Sequence, residues 1–269
     1  MRRALLGLWT YFEFFVVAFL WLPIHAVVAL VHGDRDPGRR IRGRWMRRFG
    51  RVAYRFQNIW HFSAEGTPPA DILAEPYVVV ANHESTADPF LLCWLRWDMR
   101  WVAKEDLFKL PWIGWMLRCG GDIPLRRGHG ESIREMMAEC RRTLAAGVPV
   151  MMFPEGTRTP DGRLLPFKDG AFALAIEAGV PVLPLAIAGT RDCRPKGSIW
   201  FGEARARVRV LEPVSTDGMT AADVDRLKEE VRQRIARGVM QVRAELGITA
   251  AAPIASEPAP ASGEEAVRT

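Results

Sequence analysis

The N-terminal apolar run constrains the fold of this chain more than any other feature. Residues 4 to 31 are almost continuously apolar, with Glu13 and Pro23 as interruptions, and the run is longer than the ~20 residues that a membrane helix needs. It predicts a membrane helix or, if Pro23 marks a bend, a helical hairpin that enters one leaflet. A cleaved signal peptide is the alternative, since Arg2 and Arg3 precede the run. The length of the run and the lack of a clear cleavage site argue against it.

An arginine cluster follows the apolar run directly and consists of Arg35, Arg39, Arg40, Arg42, Arg44, Arg47 and Arg48. The positive-inside rule places such a cluster on the cytoplasmic side. We therefore expect a membrane protein at the cytoplasmic face of the inner (plasma) membrane, with membrane lipids as partners. The formal net charge of +6 suits contact with anionic groups.

Composition divides the chain into three parts. Residues 1–48 form the membrane-associated segment with its basic flank, and residues 49–248 are long enough for one catalytic domain with its own core. Residues 249–269 are rich in Ala, Pro and Glu, so a disordered tail is expected there.

Short apolar runs alternate with helical stretches from residue 77 onward, which is typical of a layered α/β domain. Strands are predicted at 77–82, 148–153, 180–189 and 205–213, and helices at 131–147, 169–179 and 220–247. Asp88 and Pro89 look like the N-cap and the first residue of a further helix. The succession of strand, helix and strand favours parallel neighbours, so the expected fold is α/β with a largely parallel central sheet flanked by helices.

The loop ANHESTADP at 81–89 contains the first candidate for chemistry. It places His83 and Asp88 at the carboxyl end of a predicted strand, where open α/β sheets build their sites. A neutral imidazole can take a proton from a hydroxyl near neutral pH, and a carboxylate on the other ring nitrogen would fix its tautomer. The structural alternative is that Asp88 only caps the following helix and His83 is an ordinary loop histidine.

Four sequence blocks, in this order, resemble the glycerolipid acyltransferases typified by bacterial 1-acyl-glycerol-3-phosphate acyltransferase. They are Asn82-His83 with Asp88, GDIPLRR at 121–127, FPEGTRT at 153–159 and VPVLPL at 180–185. The resemblance covers residues 77 to 190 and includes VAKEDLF at 102–108. It implies a mixed, largely parallel sheet flanked by helices, with an N-terminal apolar helix or helical hairpin. Pro124 departs from the family, which usually has an aromatic residue there, and this bears on the shape of the acceptor pocket.

The resemblance also implies a role for each matching residue. His83 would be the general base and Asp88 its partner. The substrate-binding residues would be Asn82, Lys104, Arg127, Glu155, Gly156, Thr157, Arg158 and Lys168. Several cations suit a phosphate monoester, although each alone is equally consistent with a solvated surface. Glu155 could orient Arg158 or accept a hydrogen bond from the acceptor hydroxyl, and its Pro-Glu-Gly setting also reads as a simple turn.

The implied reaction transfers a fatty acyl group from a thioester to the free hydroxyl of 1-acyl-glycerol 3-phosphate, which gives phosphatidic acid. The donor would be acyl-CoA or acyl-ACP, and in the second case acyl carrier protein would be a partner. Because a thioester is already activated, we expect neither a metal nor a cofactor, and the other histidines show no ligand spacing. Glycerol 3-phosphate, another lysophospholipid or a lyso-aminolipid stay open as acceptors, and so does the oligomeric state.

Two other classes of function compete with this reading. A non-catalytic membrane or nucleic-acid binding module would use the arginine cluster, with Trp45 and Phe49 stacking on bases. The preceding apolar run explains the cluster as interfacial, so no nucleic-acid partner is expected. An ester hydrolase would be expected to carry a nucleophile elbow, and no G-x-S-x-G occurs in the chain.

Overall fold

A computed structural model of the chain describes residues 2–56 and 58–248. The tail expected to be disordered, 249–269, lies outside these residues.

A seven-stranded sheet forms the centre of the fold. Its strands are β1 (Trp60–Glu65), β2 (Val78–Ala81), β3 (Arg100–Lys104), β4 (Ile123–Leu125), β5 (Val150–Met152), β6 (Val182–Ala188) and β7 (Ala204–Val210). They are arranged in the order β1-β7-β6-β2-β5-β3-β4, and neighbours are parallel except for the antiparallel pair β6 and β7. The predicted mixed, largely parallel sheet is confirmed.

Helices cover both faces of the sheet. They are α1 (Arg2–His32), α2 (Arg40–Arg55), α3 (Asp88–Leu92), α4 (Glu105–Phe108), α5 (Ile113–Gly120), α6 (Gly130–Ala145), α7 (Gly170–Ala178) and α8 (Val224–Glu245). Strands β2, β5 and β6 are apolar along their whole length because both of their faces are buried. One core layer contains side chains of α6, α7 and α8, and the layer on the opposite face contains those of α3.

The apolar N-terminal segment is one continuous helix. Helix α1 passes through Pro23 without a break, so the alternative of a hairpin bent at Pro23 is wrong. Pro23 lies on an exposed side of the helix. The chain reverses instead at residues 33–39, in two short 3₁₀ turns, and α2 then packs against α1.

Helix α2 contains most of the arginine cluster, and part of the cluster holds the fold together. Arg47 is buried and pairs with Asp122 at the start of β4, while its guanidinium lies 3.7 Å from the ring of Trp101. Arg40 donates to the carbonyl oxygen of Gly147 at 2.6 Å. These arginines therefore fasten α1 and α2 to the rest of the fold. The sequence pattern had suggested that the cluster faces lipid headgroups.

Candidate active site

The candidate site lies at one edge of the sheet, where four parallel strands end. His83 follows β2, the turn at 153–159 follows β5, Lys104 ends β3, and Arg127 follows β4. Because neighbouring strands are ~4.8 Å apart, the His83 loop and the 153–159 turn are adjacent. The strands that lead to Lys104 and Arg127 lie about 10 and 14 Å from β2 along the same edge.

His83 and Asp88 form the pair that the motif predicted. The Nδ1 atom of His83 lies 2.6 Å from Oδ2 of Asp88, and Asp88 is fully buried. The imidazole ring stacks on Phe153, with the centroids 4.1 Å apart. Within the described residues Nε2 of His83 makes no hydrogen bond, and the side chain is partly exposed. The ring is thus held by one nitrogen and can offer the other to a substrate.

Asp88 does not cap helix α3. The helix begins at Asp88 itself, with Ala87 in the cap position, so the N-cap prediction is wrong. The carboxylate turns back into its own loop, where Oδ2 accepts from the backbone N–H groups of Glu84 (2.8 Å) and Ser85 (3.1 Å). Thr190 donates its hydroxyl to Oδ1. These contacts fix the carboxylate against His83, as a base and its partner require.

Glu155 holds the His83 loop through backbone groups. Its Oε1 accepts from the N–H of His83 at 2.7 Å and its Oε2 from the N–H of Leu165 at 2.9 Å. Burial raises the pKa of this carboxyl group to about 7, and the two backbone hydrogen bonds act in the opposite direction. Within the described residues the carboxylate makes no hydrogen bond or ion pair with Arg158, and its two hydrogen bonds hold the His83 loop.

Asn82 has a similar structural task. Its amide oxygen accepts from the N–H of Ile187 and its amide nitrogen donates to the carbonyl oxygen of the same residue, both at 2.8 Å. These two hydrogen bonds join the end of β2 to β6. The side chain is buried, and the hydrogen bonds that it makes within the described residues are to the backbone of Ile187.

The middle of the 153–159 turn is shaped by glycine. Gly156 has a φ of +67°, and an added Cβ would lie 3.0 Å from the side chain of Lys168. Thr157 is half-buried, and Lys168 is exposed beside the turn. The structure therefore brings Gly156, Thr157 and Lys168 next to the His83 loop, and their role in substrate binding stays a prediction.

Arg158 is the cation of this turn, and it lies within electrostatic reach of Asp88. Burial lowers the pKa of its guanidinium, Arg194 and Arg127 lower it further, and the carboxylate of Asp88 raises it. Arg158 has no carboxylate partner within the described residues. A half-buried cation without such a partner is suited to an anionic ligand.

Arg127 and Lys104 line a separate part of the edge. Both border a cavity of about 390 Å³ that includes none of residues 82–88. Lys104 is exposed and pairs with Asp106. Arg127 lies within electrostatic reach of Arg158, whereas nothing links Lys104 to His83 among the described contacts. Arg158, by contrast, lies within electrostatic reach of Asp88, the hydrogen-bond partner of His83.

Four contributors to the site were not found from the sequence. Phe153 stacks on His83, Thr190 bonds Asp88, and Arg243 of α8 donates to Oε1 of Glu84 at 2.6 Å. Glu84 is buried, its Oε2 accepts from the N–H of Gly189 at 3.0 Å, and burial raises its pKa. Only Glu84 and Phe153 lie inside recognisable blocks. Thr190 lies five residues after the last block and Arg243 lies far beyond it, and neither carries a local signal.

The described residues contain no group of three or more His, Cys, Asp or Glu side chains that could hold a metal ion. The absence of a metal or cofactor from the reaction stays a prediction.

Comparison with known proteins places these residues in a family context. Residues 58–188 match the sequence profile of a family described as Acyltransferase. The chain is 32% identical to human 1-acyl-sn-glycerol-3-phosphate acyltransferase beta over 77% of its own length and 75% of that protein. It is 35% identical to the chloroplastic enzyme BAT2 of Brassica napus, over 65% of this chain and 49% of that one.

A solved structure gives the same result. The crystal structure of the 1-acyl-sn-glycerophosphate (LPA) acyltransferase PlsC from Thermotoga maritima is 30% identical and superposes with a TM-score of 0.77, covering 90% of this chain and 97% of that one. The chain spans about half the length of the plant and algal relatives that it matches, at 42 to 50% of each.

Proposed function

Because this chain belongs to the acyltransferase family, we propose that it transfers a fatty acyl group from a thioester to the free hydroxyl of 1-acyl-glycerol 3-phosphate, which yields phosphatidic acid. The acceptor is the substrate named for the relatives. The donor is acyl-CoA or acyl-ACP, and acyl carrier protein is a partner in the second case.

The observation that carries this proposal is the His83–Asp88 pair with its open Nε2. A hydroxyl near Nε2 can give its proton to the imidazole while its oxygen attacks the thioester carbonyl carbon. Asp88, on the other nitrogen, keeps Nε2 unprotonated before the attack and stabilises the imidazolium that forms. The C–S bond then breaks, and the imidazolium proton goes to the departing thiolate, so that the base is regenerated.

The oxyanion of the tetrahedral intermediate needs donors near the 153–159 turn. The backbone N–H groups of Thr157 and Arg158 make no hydrogen bond within the described part of the chain. They are the candidate oxyanion donors. The guanidinium of Arg158 supplies positive charge for the acceptor phosphate on the same side of His83.

Helix α1 supplies the membrane contact in this proposal. The segment Leu5–His32 is long and apolar enough to cross a membrane, by length and composition. One side of the helix packs on the domain through Phe14, Val17 and Trp21, while the other side exposes large apolar side chains. A helix that is docked lengthwise in this way suits burial in one leaflet. We place that leaflet at the cytoplasmic face of the inner membrane.

The test is an acylation assay on membranes that contain the wild type or His83→Ala. Labelled oleoyl-CoA and oleoyl-ACP are offered with 1-oleoyl-glycerol 3-phosphate, glycerol 3-phosphate, other lysophospholipids and a lyso-aminolipid. Labelled phosphatidic acid is expected with the wild type alone. A product from another acceptor would correct the substrate, and undiminished activity of His83→Ala would refute the base.

A further inference from the structure

The segment of residues 190–201, which joins β6 to β7, is docked on the catalytic loop. The hydroxyl of Ser85 donates to the carbonyl oxygen of Arg194 at 3.1 Å, and Thr190 donates to the buried carboxylate of Asp88. Because β6 is parallel to β2, the segment emerges at the same edge of the sheet as His83. It flanks His83 on the side opposite to β5.

Arg194 is held in this segment with its guanidinium partly free. Its Nε donates to the carbonyl oxygen of Ser198 at 2.9 Å, and its guanidinium carbon lies 5.5 Å from the ring centroid of Phe201. The two Nη groups make no hydrogen bond within the described residues. An arginine fixed at Nε that leaves both Nη groups available is prepared for a bidentate anion contact.

Segment 190–201 also reaches the 153–159 turn. Lys196 donates from Nζ to the backbone carbonyl of Arg158 at 3.0 Å, which ties the turn to the segment. Arg194 is the first of the charges that disfavour the protonated guanidinium of Arg158. Two guanidiniums therefore lie within electrostatic reach of each other, next to Asp88.

Neither arginine forms a direct ion pair with a carboxylate within the described residues, although Asp88 favours the charged form of Arg158 at longer range. Arg158, Arg194 and Lys196 have no ion pair within the described residues, whereas the buried Arg100 pairs with Asp98 at 2.7 Å. Like charges held together in a half-buried place destabilise the fold unless a ligand neutralises them. The segment thus maintains a repulsive arrangement that an anion would relieve.

We propose that Arg194 joins Arg158 in binding the phosphate monoester of the acyl acceptor, with Lys196 as the residue that holds the turn in place. This inference rests on the proposed acyl transfer and adds a residue from outside the four sequence blocks. The two guanidiniums approach the phosphate from opposite sides of the His83 loop.

The position of Arg158 and Arg194 favours the phosphate of the acceptor over the phosphates of the donor. In 1-acyl-glycerol 3-phosphate the reacting hydroxyl and the phosphate are on adjacent carbons, so a hydroxyl at His83 brings its phosphate within reach of side chains on the same loop edge. The phosphates of coenzyme A, and the phosphate on acyl carrier protein, lie beyond the whole pantetheine arm. They fall far from the residues that contact Asp88.

The test measures both Michaelis constants of the purified full chain, with the thioester that the wild type accepts. Arg194→Gln is expected to raise the KM for 1-oleoyl-glycerol 3-phosphate about ten- to a hundred-fold, as for the loss of a charge-assisted contact. The KM for the thioester should stay within about two-fold of the wild type. Arg194→Lys, which keeps the charge, should raise the acceptor KM less than Arg194→Gln does. Should Arg194→Gln fail to fold, Arg194→Lys carries the test, with a smaller rise expected in the same constant.

The matched control is Arg205→Gln, which removes one positive charge from an exposed position on the neighbouring β7. It should leave both constants unchanged. The inference is overturned by an unchanged acceptor KM in the Arg194 variants, by a rise in the thioester KM instead, or by an equal effect on mono-oleoylglycerol, which lacks the phosphate. A wild type that is inactive on 1-oleoyl-glycerol 3-phosphate would instead contradict the proposed function.

Discussion

Asp88 has four hydrogen-bond donors around its carboxylate, and their number decides what a substitution would do. Asp88→Asn can keep its oxygen towards the loop N–H groups and turn its amide towards the hydroxyl of Thr190, which can accept. The chain should therefore fold. The neutral amide lacks the negative charge that stabilises the imidazolium of His83, so kcat should fall by about 10³-fold or more, as measured in the acylation assay.

Asp98→Asn is the control for that experiment. Asp98 is also a buried aspartate, but it pairs with Arg100 at the start of β3, away from His83. The variant should lose thermal stability with little change in kcat. Similar losses of kcat in the two variants would mean that Asp88 acts only through the fold.

Glu155 predicts a pH dependence of stability with a definite sign. Its pKa in the folded chain is about 7, above its ordinary value of 4.5, because the carboxyl group is buried. The folded state then binds more protons than the unfolded state between these values. The stability that protonation contributes is complete below pH 4.5 and is lost as the pH rises to about 7.

Glu155→Gln isolates this effect because glutamine does not titrate. Over the same range the unfolding free energy of the wild type should fall relative to the variant by up to about 3 kcal/mol. Thermal unfolding of both proteins from pH 4.5 to pH 7.5 measures the difference. A constant difference across the range would contradict the raised pKa.

The spacing of residues within one loop was enough to predict the contact between His83 and Asp88, but not the residues that hold the two side chains in place. His83 and Asp88 are five positions apart, so local chain geometry brings them together. Glu155 binds the N–H of a residue 72 positions away, and a contact of that kind exists only once β2 and β5 pair. The hydrogen bonds between Asn82 and Ile187 join residues 105 positions apart, so they too could not be predicted from local spacing.

At the scale of elements, helix α8 fastens the catalytic loop from behind. Arg243, in its last turn, donates to the buried Glu84 and to the carbonyl oxygen of Gly162, both at 2.6 Å. Arg243→Met would leave Glu84 buried without its partner, which typically costs about 3 kcal/mol. We expect a lower melting temperature together with a lower kcat, because Glu84 adjoins His83.

The partner variant makes this prediction specific. Arg243→Met combined with Glu84→Gln should recover part of the lost stability, because no carboxylate is then buried alone. Arg237→Met, at an exposed position of α8 without an ion pair in the described region, is the matched control and should change neither quantity. If the stability losses of Arg243→Met and Glu84→Gln simply add in the double variant, the two residues do not act as a pair.

The elements that could be predicted from the sequence are those in which the burial of each face determines where apolar residues occur. The runs that became β2, β5 and β6 are apolar throughout, and the amphipathic stretches became α6 and α8. Strands β1, β3 and β4 were missed, since β1 is partly polar, β3 is charged at both ends and β4 has Pro124 at its centre. Their existence depends on neighbouring strands more than on their own composition.

At the scale of the whole molecule, the exposed side of helix α1 continues onto the catalytic domain. Phe15 and Phe19 contact Trp112, just before α5, with centroids 5.1 and 5.7 Å apart. Tyr11 donates to the carbonyl oxygen of Ile199, in the segment that carries Arg194. The apolar surface of α1 thus extends to Trp112 and to segment 190–201, which flanks His83. A lysolipid could therefore reach His83 with its chain still in the bilayer.

This surface predicts that membrane binding and catalysis can be separated. Phe12, Phe15 and Phe19 are each more than half exposed, so replacing all three by Ser removes apolar area without opening the core. If each ring contributes about 1 kcal/mol in the membrane, binding to vesicles should weaken by roughly a hundred-fold. Activity towards lysolipid in vesicles should fall by a similar factor, while activity towards lysolipid dispersed in detergent should persist.

The control for this experiment removes three apolar side chains of similar exposed fraction from positions outside α1. Leu73, Ile133 and Met240 are 69, 42 and 56% exposed and lie outside the surface formed by α1 and Trp112. Their triple replacement by Ser should leave vesicle binding intact, because the membrane is expected to contact one side of the molecule. Equal losses in the two triple variants, measured by flotation with vesicles, would mean that this side has no special affinity for lipid and that the lysolipid reaches His83 by another route.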